Sequence, residues 1–166
     1  MRAFALILLA GLLHTRPLEA QQPEPRPDYT PLEFLVGSCW IGTFPDGKKT
    51  DEHCFEWVFD RKFIRDRHVV RGGPTLYEGE TIYGLDPATK QLSFWYWTSQ
   101  GLVTTGHVEY TPEGIVFPER YTTSKGEVEL KAVWSRSGPD GYRIWQGQRE
   151  GAGWKTLWTM EMKRKQ

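Results

Sequence analysis

The sequence lacks several features that mark common classes of protein. Its 166 residues contain no asparagine, so they offer no site for N-linked glycosylation. Neither sign of charge is in excess, because 21 Lys plus Arg stand against 21 Asp plus Glu. This balance provides no basic field for nucleic acid. The Gly-x-Ser-x-Gly, phosphate-loop and dinucleotide-binding motifs of common enzymes are also missing. We therefore expect no nucleic-acid partner and none of the reactions that these motifs indicate.

Long hydrophobic runs are equally scarce, and the longest stands at the start of the chain. Arg2 precedes an apolar run over residues 3–13, and the small residue Ala20 follows soon after. This layout predicts a signal peptide over residues 1–20, because the run is shorter than the roughly 20 residues of a membrane-spanning helix. The Pro-rich residues 21–31 predict an extended lead-in. We expect a secreted or periplasmic protein without a membrane span.

Short runs of aromatic and β-branched residues, separated by Gly, Pro or Asp, make up the rest of the chain. The short turns between them favour antiparallel neighbours and exclude parallel crossovers. Closing such a sheet removes its exposed edges. The pattern therefore predicts an all-β, antiparallel up-and-down barrel of about ten strands, with one short N-terminal helical turn, over residues 32–164. A two-sheet sandwich is the alternative. The expected strands are residues 39–44, 50–59, 63–70, 75–84, 91–99, 102–110, 115–121, 127–136, 142–149 and 154–163.

The two cysteines, Cys39 and Cys54, lie on the first two of these strands. If the turn pairs Phe44 with Lys49, the cysteines lie directly opposite each other and can form a disulfide. If a three-residue turn pairs Phe44 with Lys48, they face opposite sides of the hairpin and no bridge forms. The aromatic pattern and an oxidising compartment favour the first register. Two cysteines at this spacing are no zinc motif, and we expect neither a metal ion nor a cofactor.

The favoured register also defines an inward face on the first hairpin. It places Trp40 opposite His53, on the face that Phe55 and Trp57 share. These four residues are candidates for the wall of a ligand cavity, in which His53 would supply a hydrogen bond. The alternative for His53 is a core histidine that a neighbouring group satisfies.

The third strand carries alternating charges, and its orientation depends on the turn before it. A three-residue turn after Phe59 directs Arg65 and Arg67 inward, where two guanidinium groups would trap a carboxylate or phosphate. A two-residue turn instead directs Asp66 and His68 inward, as an acid–base pair. In a further alternative the charged set lies at the barrel mouth or faces water, because unpaired buried charge is costly.

Three more aromatic residues complete the expected cavity wall. Trp134 and Trp158 alternate with polar neighbours on their strands, and Tyr96 lies on one face of the fifth strand. The other face of that strand carries Trp95 and Trp97. Because exposed aromatic patches usually mark contacts, this second pair indicates a partner surface, such as a homodimer interface.

Residues 32–42 (LEFLVGSCWIG) resemble the opening of calycin-type barrels, which include lipocalins, fatty-acid-binding proteins and nitrobindins. In those barrels a short helical turn leads into a Gly-x-Trp element, whose tryptophan covers one end. Here the corresponding residues are Gly37 and Trp40, which are separated by two residues rather than one. Nitrobindin-type barrels bind haem through a histidine late in the chain. No histidine lies beyond His107, so the resemblance implies no haem site.

Three further segments are similar to a bacterial family of lipocalin-like barrels that is labelled only as a domain of unknown function. They are YEG at 77–79, YGLD at 83–86 and FWYW at 94–97. The resemblance extends over residues 32–164. It implies a lipocalin-like barrel and no established catalytic residues.

The most direct functional expectation is a barrel that binds one small apolar or amphipathic molecule. Closure creates a concave interior, and inward aromatic residues favour an apolar guest. Two other functions stay open. One is an enzyme that uses Asp66 and His68 as acid and base. The other is a structural or interaction module with a filled barrel, whose Trp95 and Trp97 hold a protein partner.

Overall fold

A computed structural model describes residues 26–124 and 126–166 and consists almost entirely of β-strands. The expected signal peptide, residues 1–20, lies outside the described residues. One 3-10 turn, Glu33–Leu35, precedes the first strand. Within the described residues, no helix combines the length and hydrophobicity of a membrane span. The strands are β1 (Ser38–Thr43), β2 (Thr50–Val58), β3 (Phe63–Arg71), β4 (Tyr77–Leu85), β5 (Leu92–Thr98), β6 (Val103–His107), β7 (Glu109–Thr111), β8 (Gly114–Thr123), β9 (Gly126–Arg136), β10 (Gly141–Glu150) and β11 (Gly153–Arg164).

All of these strands belong to one antiparallel sheet. Strand β1 pairs with both β2 and β11, so the first and last strands are neighbours. From β1 the sheet runs through β2, β3, β4 and β5 to β6 on one side, and through β11, β10, β9 and β8 to β7 on the other. The predicted antiparallel barrel is confirmed, with 11 strands rather than about ten.

The additional strand arises because the run at residues 102–110 changes partners at Val108. Strand β6 pairs with β5, whereas β7 pairs with β8. Val108 is buried, and its N–H donates to the carbonyl oxygen of Leu92 at 2.8 Å. One bent segment therefore joins the two edges of the sheet. The barrel is nearly closed, although no continuous ladder joins β6 to β8.

Gly106 lets β6 approach β8 closely at this seam. A Cβ atom on Gly106 would lie 2.6 Å from the carbonyl oxygen of Pro118 and 2.7 Å from the Phe94 ring. Both distances are well below the roughly 3.5 Å of an ordinary carbon contact. A side chain at this position would therefore push the two edges of the barrel apart.

We expect Gly106→Ala to lower the free energy of unfolding by about 2 kcal/mol, because the added methyl group overpacks the seam. Urea denaturation of the two proteins measures the change. Gly153→Ala is the matched control, since its Cβ would meet no atom closer than 3.9 Å. Equal stability of the two variants would contradict the close approach of β6 and β8.

One end of the barrel is filled by side chains. The Trp40 ring is fully buried, and its N–H donates to the carbonyl oxygen of Leu35 at 3.0 Å. The Arg164 guanidinium lies 4.4 Å from the Trp40 ring centre, and Tyr142 packs edge-on against it at 5.4 Å. Tyr29, from the segment that the sequence assigns to the lead-in, is also buried here. These side chains form the packed core at this end of the barrel.

A disulfide between Cys39 and Cys54 ties β1 to β2 and confirms the favoured register of the first hairpin. The Phe44 N–H donates to the carbonyl oxygen of Lys49 at 2.8 Å, as that register requires. Because side chains alternate along β2, the bridge and His53 lie on opposite faces of the sheet. The disulfide therefore fixes the hairpin from outside the barrel.

We expect reduction of this disulfide to lower the free energy of unfolding by about 3 kcal/mol, through the greater entropy of the unfolded chain. Urea denaturation with and without a reductant tests this value. The double variant Cys39→Ser/Cys54→Ser should match the reduced protein and show no response to the reductant. If the oxidised and reduced proteins were equally stable, the bridge would contribute nothing.

Candidate functional site

The register of β2 against β3 decides which side chains of β3 face the interior. Phe55 pairs with Asp66, and His53 pairs directly with His68. This is the register expected for the two-residue turn. The strands themselves end at Val58 and resume at Phe63, so four residues form the connection, which gives the same alternation of faces. Asp66 and His68 therefore point into the barrel.

Arg65 and Arg67 consequently lie on the outer face of β3. The Arg65 guanidinium bonds to the Glu56 carboxylate at 2.7 Å, and the Arg67 guanidinium lies 3.5 Å from the same carboxylate. The Arg67 side chain is 58% exposed. The arrangement with two guanidinium groups inside the barrel does not form, because the connection after β2 has an even number of residues.

A cavity of about 410 Å³ occupies the open half of the barrel. Four of the expected wall residues line it: His53, Tyr96, Trp134 and Trp158. Three others do not, because they lie at other depths along the same inward face. Trp40 and Phe55 belong to the packed core, and Trp57 packs edge-on against Tyr29.

The polar wall of the cavity contains a buried imidazole, that of His53, which lies between two carboxylates. The His53 Nδ1 lies 2.8 Å from Asp66 Oδ2, and its Nε2 lies 3.2 Å from Asp51 Oδ2. All three side chains are less than a tenth exposed. Because a carboxylate accepts and does not donate, both ring nitrogens of His53 act as donors.

His68 continues this line of hydrogen bonds toward the cavity. Its Nδ1 lies 3.1 Å from Asp51 Oδ1, and its Nε2 lies 2.8 Å from the Tyr96 hydroxyl. The Tyr96 hydroxyl in turn lies 2.5 Å from the Tyr77 hydroxyl. One uninterrupted chain of hydrogen bonds thus leads from the buried Asp66 to Tyr77.

One alternative from the sequence pattern is that Asp66 and His68 form an acid–base pair inside the barrel. Both do face inward, but each has a different partner. Asp66 bonds to His53, and His68 bonds to Asp51. The structure therefore contains two carboxylate–imidazole pairs that share His53 and Asp51 as their link.

Gly79 makes room for the His68 ring on the neighbouring strand. A Cβ atom on Gly79 would lie 2.2 Å from His68 Nε2 and 2.6 Å from the Tyr96 ring. Any side chain at this position would move the imidazole away from the Tyr96 hydroxyl. The absence of a side chain at Gly79 is therefore part of the geometry of the site.

Burial and the neighbouring groups on this wall shift the pKa values of His53 and Asp51 in opposite directions. Burial opposes the charge on His53, but the carboxylates of Asp66 and Asp51 outweigh it and raise the pKa of His53 to about 10. Burial also opposes the charge on Asp51, yet hydrogen bonds from His53 and His68 hold the pKa of its carboxyl well below its usual range. Among the described residues, no Lys or Arg side chain lines the cavity. The wall therefore holds two carboxylates, Asp51 and Asp66, around the imidazolium of His53.

Glu119, on β8, adds another carboxyl group to the cavity. Burial raises the pKa of Glu119 to about 7, with no hydrogen bond or cation from a described residue to counter it. Its charge bears on the hydroxyl groups of Tyr77 and Tyr96, across the cavity. Glu119 is thus a largely buried carboxyl group with no counter-charge from the described residues.

The stability of the protein should depend on pH through Glu119. Its pKa is near 4.5 in an unfolded chain and about 7 in the folded protein, so the folded protein binds more protons between these values. The free energy of unfolding should therefore fall as the pH rises through this window. Glu119→Gln should remove a loss on the order of 2 kcal/mol between pH 4 and 8.

Urea denaturation across that pH range measures the effect. Glu109→Gln, at an exposed position on β7, is the matched control and should follow the unmodified protein. A slope between pH 4.5 and 6.5 that persists in Glu119→Gln would assign the pH dependence to another group. Above pH 6.5 the raised pKa of His53 adds a fall in stability that all three proteins share.

Asp51, Tyr77 and Glu119 were not identified from the sequence. Asp51 precedes His53 by two residues and shares its face, so the alternation along β2 contained that signal. Tyr77 shares a face with Gly79 in the same way. Glu119 gave no comparable signal, because it directly follows Pro118 in a strand whose pairing was unknown.

The outer face of β5 carries the second aromatic pair. Trp97 is 43% exposed and Trp95 is half-buried, whereas Phe94 and Tyr96 point inward. The division into one inner and one outer pair therefore agrees with the sequence pattern.

No family model matches this chain, and no curated protein matches it either.

Proposed function

We propose that this protein is an exported, calycin-like barrel that binds one small amphipathic molecule in its cavity. The bound molecule combines an apolar body with a cationic group, such as a primary amine. The cavity volume of about 410 Å³ falls within the range typical of small-molecule sites. The proposal of export rests on the apolar run at residues 3–13 and on the disulfide, which persists in oxidising compartments.

The apolar side of the cavity supports the body of such a ligand. Aromatic rings of Phe94, Phe117, Trp134 and Trp158 line this side together with Ile144. The Phe117 and Trp134 rings lie 4.6 Å apart, so they form one continuous surface. Burial of an apolar group against it stabilises a complex by roughly 25 cal/mol for each Å² removed from water.

The polar side supports a cationic group, and Glu119 is the observation that carries the proposal. Its carboxyl group has a pKa of about 7 because burial opposes its charge and no described residue places a cation beside it. A ligand ammonium group beside Glu119 would supply that cation and favour the ionised form. The same wall carries the carboxylates of Asp51 and Asp66 against one imidazolium, His53, and no Lys or Arg among the described residues lines the cavity to compete with a ligand cation.

Two probes of similar shape and opposite charge test this proposal. Titration with 2-phenylethylamine and with 3-phenylpropionate at pH 7, in the presence of a chelator, should alter the fluorescence of Trp134 and Trp158, which line the cavity. We expect the amine to bind at least about tenfold more tightly, a difference of about 1.4 kcal/mol.

Glu119→Gln should bring the two affinities together, whereas the control Glu109→Gln should preserve the preference for the amine. Stronger binding of the carboxylate, or an equal response to both probes, would refute the proposed ligand class. A preference for the amine that survives Glu119→Gln would remove Glu119 from the site.

A further inference from the structure

We propose that Asp51, His53 and His68 form a binding site for one divalent transition-metal ion on the wall of the cavity. Each of the three side chains offers a ligand atom, and these atoms lie within 4.8 Å of one another. Two imidazoles and one carboxylate are a ligand set that suits zinc, cobalt and iron. This inference goes beyond the proposed ligand and does not depend on it.

Asp51 already lies close to the ligand atom of each imidazole, through a different carboxylate oxygen in each case. Asp51 Oδ2 lies 3.2 Å from His53 Nε2, and Asp51 Oδ1 lies 3.1 Å from His68 Nδ1. In a tetrahedral zinc site with bonds of about 2.0–2.1 Å, neighbouring ligand atoms are roughly 3.3 Å apart. Metal binding would replace the protons that now lie between these atoms and release them to solvent.

The second nitrogen of each imidazole is held by another side chain, as in established metal sites. The His53 Nδ1 donates to Asp66 Oδ2 at 2.8 Å, and Asp66 is only 2% exposed. The His68 Nε2 lies 2.8 Å from the Tyr96 hydroxyl. Such partners fix the orientation of the ring and direct its other nitrogen toward the ion.

The three ligands lie on two paired strands and border the cavity on one side. His53 and His68 form a cross-strand pair in the middle of β2 and β3. The cavity borders Asp51, His53 and His68, so an additional coordination position can face a molecule inside it. Three protein ligands with one open position are the arrangement of catalytic zinc sites. The carboxylates of Asp51 and Asp66 also balance the charge of a dication.

Titration with zinc chloride alone tests the site directly. The protein is purified without a histidine tag, treated with a chelator and exchanged into metal-free buffer at pH 7.5. Calorimetry should show one ion bound per chain. Cobalt chloride should produce visible absorption bands of a four- or five-coordinate ion, and zinc should abolish them. Failure to bind either ion stoichiometrically would overturn the proposal.

Three variants locate the ion within the structure. Asp51→Asn and His68→Ala should each weaken zinc binding by at least about 100-fold, and Tyr96→Phe by about tenfold. His107→Ala is the matched control, because His107 lies on β6 and bonds to Ser93 at 2.9 Å, outside the cluster. Its affinity should equal that of the unmodified protein.

Binding that survives both Asp51→Asn and His68→Ala would place the ion elsewhere and overturn the proposal. Circular dichroism confirms that each variant is folded, and Tyr96→Phe keeps the test valid if a ligand variant fails to fold. The amine titration described above contains a chelator, and the zinc titration contains no organic ligand. Each proposal can therefore fail without the other.

Discussion

The register of β2 against β3 governs all of the chemistry inside this barrel. Because successive side chains on a strand face opposite sides, a shift of one residue would exchange the inner and outer sets. The interior would then hold Arg65 and Arg67 in place of Asp66 and His68. The observed pairing of His53 with His68 instead gives a wall of alternating carboxylates and imidazoles with a continuous chain of hydrogen bonds. The hydrogen bond from His53 to Asp66 and the place of His68 among the candidate metal ligands both follow from this alignment.

The sequence predicted much of this architecture through its alternation of residues. Periodicity identified the antiparallel barrel, the pairing of the two cysteines and the inward direction of His53 and Tyr96. It could not decide the orientation of β3, because the connection before it has no recognisable turn signal. Phe59, Asp60 and Arg61 all adopt positive φ angles of 51°, 54° and 62°, without a glycine or asparagine among them. Phenylalanine and arginine rarely adopt this conformation, so the sequence does not predict this turn.

Alternation also says which face a residue occupies, but not how deep it lies along the barrel. Trp40, Phe55 and His53 share an inward direction, yet only His53 reaches the cavity. The difference comes from the 3-10 turn Glu33–Leu35, which covers one end and receives the Trp40 N–H. That docking is a tertiary contact, and no local pattern in the strands predicts its position. The site is therefore the half of the inward face that the turn leaves uncovered.

The seam between β6 and β8 gives the barrel one line along which its wall is held by packing instead of a backbone ladder. Elsewhere around the circumference, widening would break paired strands. Along this line it would separate only the surfaces that meet at Gly106 and Pro118. The molecule thus resembles a split ring, in which the line of closure depends on the fit between two surfaces while every strand keeps its paired neighbours.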